Sequence, residues 1–232
     1  SKAISMNFPS IDIQCAILST DFLAKILSEQ ATFQQGKDFN PDLTNAKLKD
    51  EISLAWQEAK GQWTIYKSKL TRLKEGETGT TETRNFWISP ILTNLGYNLT
   101  FDRKGEELNG KSFPIGYRDS SLDNFPVYVG GYHESLDKRP ENKQLRVSPH
   151  AMVQEYLNYS EHLYGMVTNG RQLRLLRDAS RITRLSYVEF NLEKMMEEDL
   201  YSDFVILYRV LHASRMPKKV DAGADSIMEK YH

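Results

Sequence analysis

The chain holds a single cysteine, Cys15, in 232 residues. No internal disulfide can form, and a reducing, cytoplasmic compartment is the expected setting. No apolar run approaches the roughly 20 residues that span a bilayer, so no membrane partner is expected. The opening SKAISMNF lacks the apolar centre of a signal peptide, and Ser1 in place of Met points to a trimmed start. CxxC and HExxH are absent and the five histidines are scattered, which argues against a zinc site. GxxxxGK[ST], GxGxxG and GxSxG are missing too, so those phosphate cradles and that nucleophile elbow are excluded. Asn40-Pro41 precedes Asp42 and does not make the Asn-Pro-Pro-Tyr-like loop with which an adenine methyltransferase holds a flipped base. Charge of one sign is also lacking: 30 Lys and Arg oppose 31 Asp and Glu. That balance excludes wholesale coating of nucleic acid and leaves room for a local basic face.

What is present is a change of period along the chain. Ile17, Phe22, Leu23, Ile26 and Leu27 lie at helical spacing over 17–35. GKDFNPD (36–42) breaks that helix, with Asn40 placed to cap the next and Pro41 in its first turn. Leu48, Ile52, Ala55, Ala59, Trp63, Tyr66, Leu70 and Leu73 then recur in steps of four and three, a narrow apolar stripe. Two readings of that arm stand: it packs on its own domain, or it makes an inter-domain or homo-oligomer contact. EGETGTTE (75–82) marks a boundary. A helix over 82–95 follows, bent at Pro90. YNLTF (97–101), SFPIGY (112–117) and FPVYVGGY (125–132) read as strands, and Ser148-Pro149 opens another helix. Asn169-Gly170 predicts a two-residue hairpin turn with positive φ at both positions. YVEFNL (187–192) adds a strand, and a helix runs near 200–215. The expected fold class is α/β, a mixed central sheet flanked by helices. The expected organisation is a helical arm over 1–78, the α/β domain over 79–216, and a polar tail or linker over 217–232 to a missing C-terminal region.

TETRNFWISPILTNLGY, FPVYVGGYHESLDKRP, SPHAMVQEYLNYSEHLYGMVTNGRQLRLLRD and YVEFNLEKMMEEDLYSDFVILYRVLHASR carry a resemblance to a family. Together they resemble the N-terminal region of bacterial type IIG-like restriction-modification proteins, which fuse a nuclease-like front domain to an adenine-specific DNA methyltransferase. The resemblance covers about 82–215, and the arm more loosely. It implies a restriction-endonuclase-like fold of the PD-(D/E)xK type, in which an aspartate on one strand and an Asp/Glu-x-Lys on the next hold Mg²⁺. Carried onto this chain, it marks Glu82 on the first helix, Asp119 after FPIGYR, Glu134 after FPVYVGGY and Gln154 on the following helix as candidate catalytic residues. Asp119 and Glu134 are the candidate metal ligands if the centre is active. The strand that should end in Glu-x-Lys ends in Gly130, Gly131, Tyr132 and His133, and Leu136 stands where the lysine should be. Literal Glu58-Ala-Lys60, Asp102-Arg-Lys104 and Glu141-Asn-Lys143 lie elsewhere. The expectation is a degenerate Mg²⁺ centre in a module that engages DNA. A catalytically inert scaffold docking the downstream methyltransferase domain or a partner subunit is the alternative.

Arg171, Arg174, Arg177, Arg181 and Arg184 fall within fourteen residues. On a strand, Arg171, Leu173, Leu175 and Arg177 share one face, and Arg174 takes the other, read as solvent-facing. Arg181 and Arg184 follow beside Ser180, Thr183 and Ser186, the residue mix that contacts phosphate. Two readings stand here as well: the arginines meet a DNA backbone, or they pair with the acidic run 193–199.

Overall fold

The computed structural model describes residues 8–14, 18–141, 145–178, 187–218 and 226–231. The chain opens with β1 (Ile11–Gln14), α1 (Thr20–Leu27) and α2 (Gly36–Phe39), then the long α3 (Asn45–Leu70). Thr44 caps α3, its hydroxyl accepting from Lys47 N–H, and Pro41 lies outside the helix, so the expected cap at Asn40 moves four residues on. The helix expected over 17–35 stops at Leu27, and Glu29 and Phe33 adopt positive φ. α4 (Thr80–Thr83), a π-helical turn (Arg84–Ile88) and α5 (Ser89–Asn94) follow one another directly. Ser89 N–H reaches back five residues to Arg84, so the register change falls just before Pro90, which has no N–H to give.

The strands are β2 (Thr100–Phe101), β3 (Glu106–Leu108), β4 (Lys111–Phe113), β5 (Tyr117–Asp119) and β6 (Phe125–Val129). After α6 (Pro149–Ser160) come β7 (Tyr164–Thr168), β8 (Gln172–Arg177) and β9 (Tyr187–Asn191). α7 (Leu192–Glu197), α8 (Tyr201–Leu211) and the short α9 (Ile227–Tyr231) complete the described chain. Seven strands form one sheet in the order β1-β9-β8-β7-β6-β5-β2. Only β6 and β7 pair in parallel, with α6 as the crossover between them; the other neighbours are antiparallel. SFPIGY, expected as one strand, is divided between β4 and β5, because β4 turns back on β3 as a separate hairpin. A mixed α/β architecture with helices on both faces of a sheet is therefore present. No helix among the described residues is long and apolar enough to cross a membrane.

Alternation along the strands builds two cores. Leu173, Leu175, Val188 and Phe190 face the side covered by α1, α3, α5 and α8. Tyr128, Val167 and Leu176 face α6 and the β3–β4 hairpin. The apolar stripe of α3 lies in the first core: Leu48, Ile52, Ala55, Ala59, Trp63 and Tyr66 are all buried. The stripe thus packs on its own chain, and β1 is a strand of the same sheet, so the residues read as a preceding arm share the core of the α/β domain. Burial of Leu48 and Ile52 alone contributes about 1.5–3 kcal/mol each. Within the stretch 217–232 read as polar tail, Ile227–Tyr231 form α9, with Met228 and Tyr231 buried.

The β7–β8 turn departs from expectation in a way that matters. Asn169 has no positive φ; Gly170 alone is left-handed, at +87°. Asn169 Oδ1 accepts from the N–H groups of Arg171 and Gln172, at 3.0 and 2.9 Å, an Asx turn that replaces the second positive φ. The turn is also buried. Trp87 Nε1 donates to Gly170 O at 2.8 Å, and Tyr66 and Trp87 stack at 5.9 Å beneath it. A Cβ at Gly170 would lie 2.5 Å from Tyr66 Oη and 2.8 Å from Thr83 Cγ2. Gly170→Ala is therefore expected to lose about 2–4 kcal/mol from combined strain and overpacking, read as a lower denaturation midpoint at unchanged m-value.

Candidate functional site

In open sheets containing parallel strands, ligands bind beyond the strands' carboxyl ends. Here β6 and β7 end side by side at Val129 and Thr168, and a cleft of about 980 Å³ opens nearby between the α3–α4 loop and the segment 133–141. Its walls include Thr78, Thr80, Glu82, His133, Glu134 and Lys138. Gly130 and Gly131 allow this wall to form. A Cβ at Gly131 would stand 2.3 Å from Thr78 O, and one at Gly130 would stand 2.9 Å from the Glu134 carboxylate. The absent side chains let the Thr78 loop close on the strand end and let Glu134 fold back over it. His133 N–H then donates to Thr78 O at 3.1 Å.

Glu134 is buried. Its Oε1 accepts from Tyr128 Oη at 2.8 Å and its Oε2 from Gly131 N–H at 3.0 Å. Asn169 Nδ2 donates to Glu134 O at 2.8 Å, and Arg171 Nε donates to Tyr132 O at 2.8 Å. The buried turn and Arg171 thus hold the backbone that carries Glu134. Glu82, half-buried in the first turn of α4, faces the same cleft.

Asp119 does not join them. It pairs with Phe125, at the start of β6, whereas Glu134 folds over the end of that strand beyond Val129. Four residues of strand place the two carboxylates on the order of 13 Å apart. Asp119 is also engaged: Oδ2 accepts from Asn98 N–H, and Oδ1 caps the turn at Ser121 through both N–H and hydroxyl. Gln154 lies over β8 on the α6 side, its Nε2 donating to Arg177 O at 3.3 Å. Glu82 and Glu134 line the same cleft; Asp119 and Gln154 are elsewhere. Magnesium requires a near-octahedral set of oxygens at about 2.1 Å. Asp119 and Glu134 cannot supply it jointly, and no group of three or more His, Cys, Asp or Glu among the described residues is placed to hold a metal ion.

The described arginines of the cluster turn inward. Arg174, read as solvent-facing, is buried: its guanidinium forks onto Asp137 at 2.7 and 2.8 Å, and Nε reaches Glu189 at 2.8 Å. The reason is the second core, since α6 covers that face of β8 and brings His150 Nδ1 to 2.9 Å from Arg174 Nη1. Arg174 in turn holds the Asp137 carboxyl below the usual carboxylate range. Arg177 forks onto Glu229 of α9 at 2.7 and 3.1 Å. The acidic run meets other partners: Lys60 with Asp199, Lys67 with Glu197, and Tyr132 Oη with Glu193. No described arginine of 171–177 pairs with it. Arg181 and Arg184 lie outside the described residues.

Sequence reading missed the Arg174–Asp137–Glu189–His150 hub and the role of Gly130-Gly131. The adjacent glycines at a strand end were the available signal, since such a pair marks close backbone approach. No family model, curated protein or solved structure matches this chain.

Burial, reinforced by Arg174, pushes the His150 imidazole down to about 4, and burial with Arg215 nearby does the same to His212. Both rings are neutral when folded, while the unfolded chain takes up protons near the ordinary value of 6.5. Their stabilising effect is complete above that value and is lost as pH falls toward about 4. The melting temperature is expected to drop over this window, and the drop should be shallower in His150→Gln/His212→Gln. An equal drop in the double variant contradicts the assignment.

Proposed function

We propose that this chain is a nuclease-like module of a restriction-modification protein that engages DNA without cutting it. One observation carries the reading: Asp119 and Glu134, the two acids that would share an ion, lie at opposite ends of β6, and each has its oxygens committed to donors of the protein. The order of a helix bearing Glu82, antiparallel strands, a crossover helix bearing Gln154 and a parallel strand is compatible with the architecture that the resemblance implies. Lys74, Lys138 and Arg139 line the cleft beside Glu75, Glu77, Glu82 and Glu141; the three cations offer contacts to a phosphate backbone, and the glutamates oppose them.

A scaffold that docks the methyltransferase domain or a partner subunit is the second reading. It is favoured by the inward pairing of Arg171, Arg174 and Arg177 and by Leu54 and Ile65, apolar residues left exposed on the outer side of α3.

Supercoiled plasmid incubated with Mg²⁺ or Mn²⁺ separates these from cleavage. The expected outcome is no nicking, with retarded migration of a short duplex that is weakened by Lys138→Ala/Arg139→Ala. Metal-dependent nicking that disappears in Glu82→Ala and Glu134→Ala would overturn the non-cleaving reading. Absence of any retardation would favour the scaffold.

A further inference from the structure

Three guanidinium groups meet the short helix α9 or the residues that hold it. Arg177 is forked onto Glu229, which also accepts from Tyr164 Oη at 2.6 Å. Arg209 donates to Gln34 O at 3.0 Å, and Gln34 Nε2 donates to Tyr231 Oη at 2.8 Å. Arg215 donates to the carbonyls of Phe33 and Asp38, lies 3.8 Å over the Phe39 ring, and feels Tyr231. Arg209 and Arg215 are buried, and each keeps an Nε with no hydrogen-bond partner. Against these three cations stand three carboxylates, of which Asp38 acts on Arg215. Glu29 lies 3.3 Å from Arg209 and is close to half exposed, and Glu229 is on α9 itself. The region is therefore cationic without α9.

α9 itself has five residues, far too few to be helical alone. Its conformation depends on the surface it covers: Met228 buried, Tyr231 packed on Phe22 at 4.8 Å, and the Glu229 fork. Within this segment, whose Glu229 is matched in charge by Lys230, the Glu229 carboxylate forked by Arg177 occupies the place of an anion.

We propose that α9 is a detachable strap whose Glu229 carboxylate stands where a backbone phosphate of DNA binds, so that Arg177 becomes a DNA contact only when α9 leaves. This rests on the DNA-engaging reading above. Chemically, a carboxylate and a phosphodiester present the same pair of oxygens to a guanidinium fork, and either satisfies Arg177. The two therefore compete for one site.

The test measures binding of a short duplex to the full chain across a salt series for wild type, Glu229→Gln, and Arg177→Gln/Glu229→Gln. Melting temperatures verify that each variant is folded. Glu229→Gln is expected to bind at least about threefold more tightly, with a salt slope steeper by about 0.9, the increment for one added phosphate contact. The double variant should return to the wild-type slope. In wild type, duplex should accelerate hydrogen exchange at the amides of Glu229, Lys230 and Tyr231. A parallel arm replaces the duplex with inorganic phosphate. Wild-type binding with an unchanged slope in Glu229→Gln overturns the strap and leaves the DNA-engaging reading intact. Absence of binding in both overturns the two together, and gain of binding in Glu229→Gln alone supports the strap while removing DNA engagement by the wild-type chain. Response to phosphate without binding of duplex overturns the assignment to DNA.

Discussion

A hairpin turn normally lies in water; the turn at Asn169-Gly170 lies against Tyr66, Trp87 and Thr83, and the candidate site is built on it. Because Gly170 has no side chain, the indole of Trp87 can donate to its carbonyl and the α3–α4 corner can close over the turn. Because that corner closes, Thr78 is placed where Gly131 admits it, and His133 is bonded to Thr78. Asn169 and Arg171 then fix the backbone at Tyr132 and Glu134 from the other side. One buried reverse turn thus sets the end of β6, the wall of the cleft and the direction of Glu134. Buried backbone groups that lack partners cost about 1–3 kcal/mol each, so this web of bonds has little freedom to rearrange.

The same logic answers why so many arginines sit near one strand. Arg171 holds a loop, Arg174 is enclosed by α6 and neutralised by Asp137 and Glu189, and Arg177 is neutralised by α9. Each joins elements far apart in sequence. Guanidinium suits that task, since its planar fork binds carboxylates and carbonyls in fixed directions. Removing one partner of such a pair leaves a charge without compensation, which in buried pairs costs about 3–5 kcal/mol. Clustering of arginine in a sequence therefore did not by itself indicate a surface for DNA.

Much of the architecture was legible. The α3 stripe from Leu48 to Tyr66, the helix opened by Ser148-Pro149 and the alternation Leu173–Leu175 each follow from period and capping, and each is found; the strand read over 125–132 is found from Phe125 but ends at Val129. What was not legible depends on contacts between distant residues. The second core decides that Arg174 is buried, and nothing local reveals that α6 will cover it. The Asx turn at Asn169 competes with a second positive φ, and both begin from the same dipeptide. α9 has too little apolar periodicity to be seen without Arg177 and Tyr164 to receive it. At the candidate site, the loss of carboxylates at Gly130 and Gly131 could be read directly. The return of Glu134 to the strand end, and the distance of Asp119 from it, depended on the register of β5 against β6.

Native-state hydrogen exchange at the turn tests the central claim most directly. Gly130 N–H is bonded to Thr168 O, Gly170 N–H to Thr168 Oγ1, and Arg171 N–H to Asn169 Oδ1. If the turn is part of the core, these amides open only with the whole protein, and their exchange free energies should equal that of Leu175 at the centre of β8. Exchange through local opening, several kcal/mol below Leu175, would contradict the account.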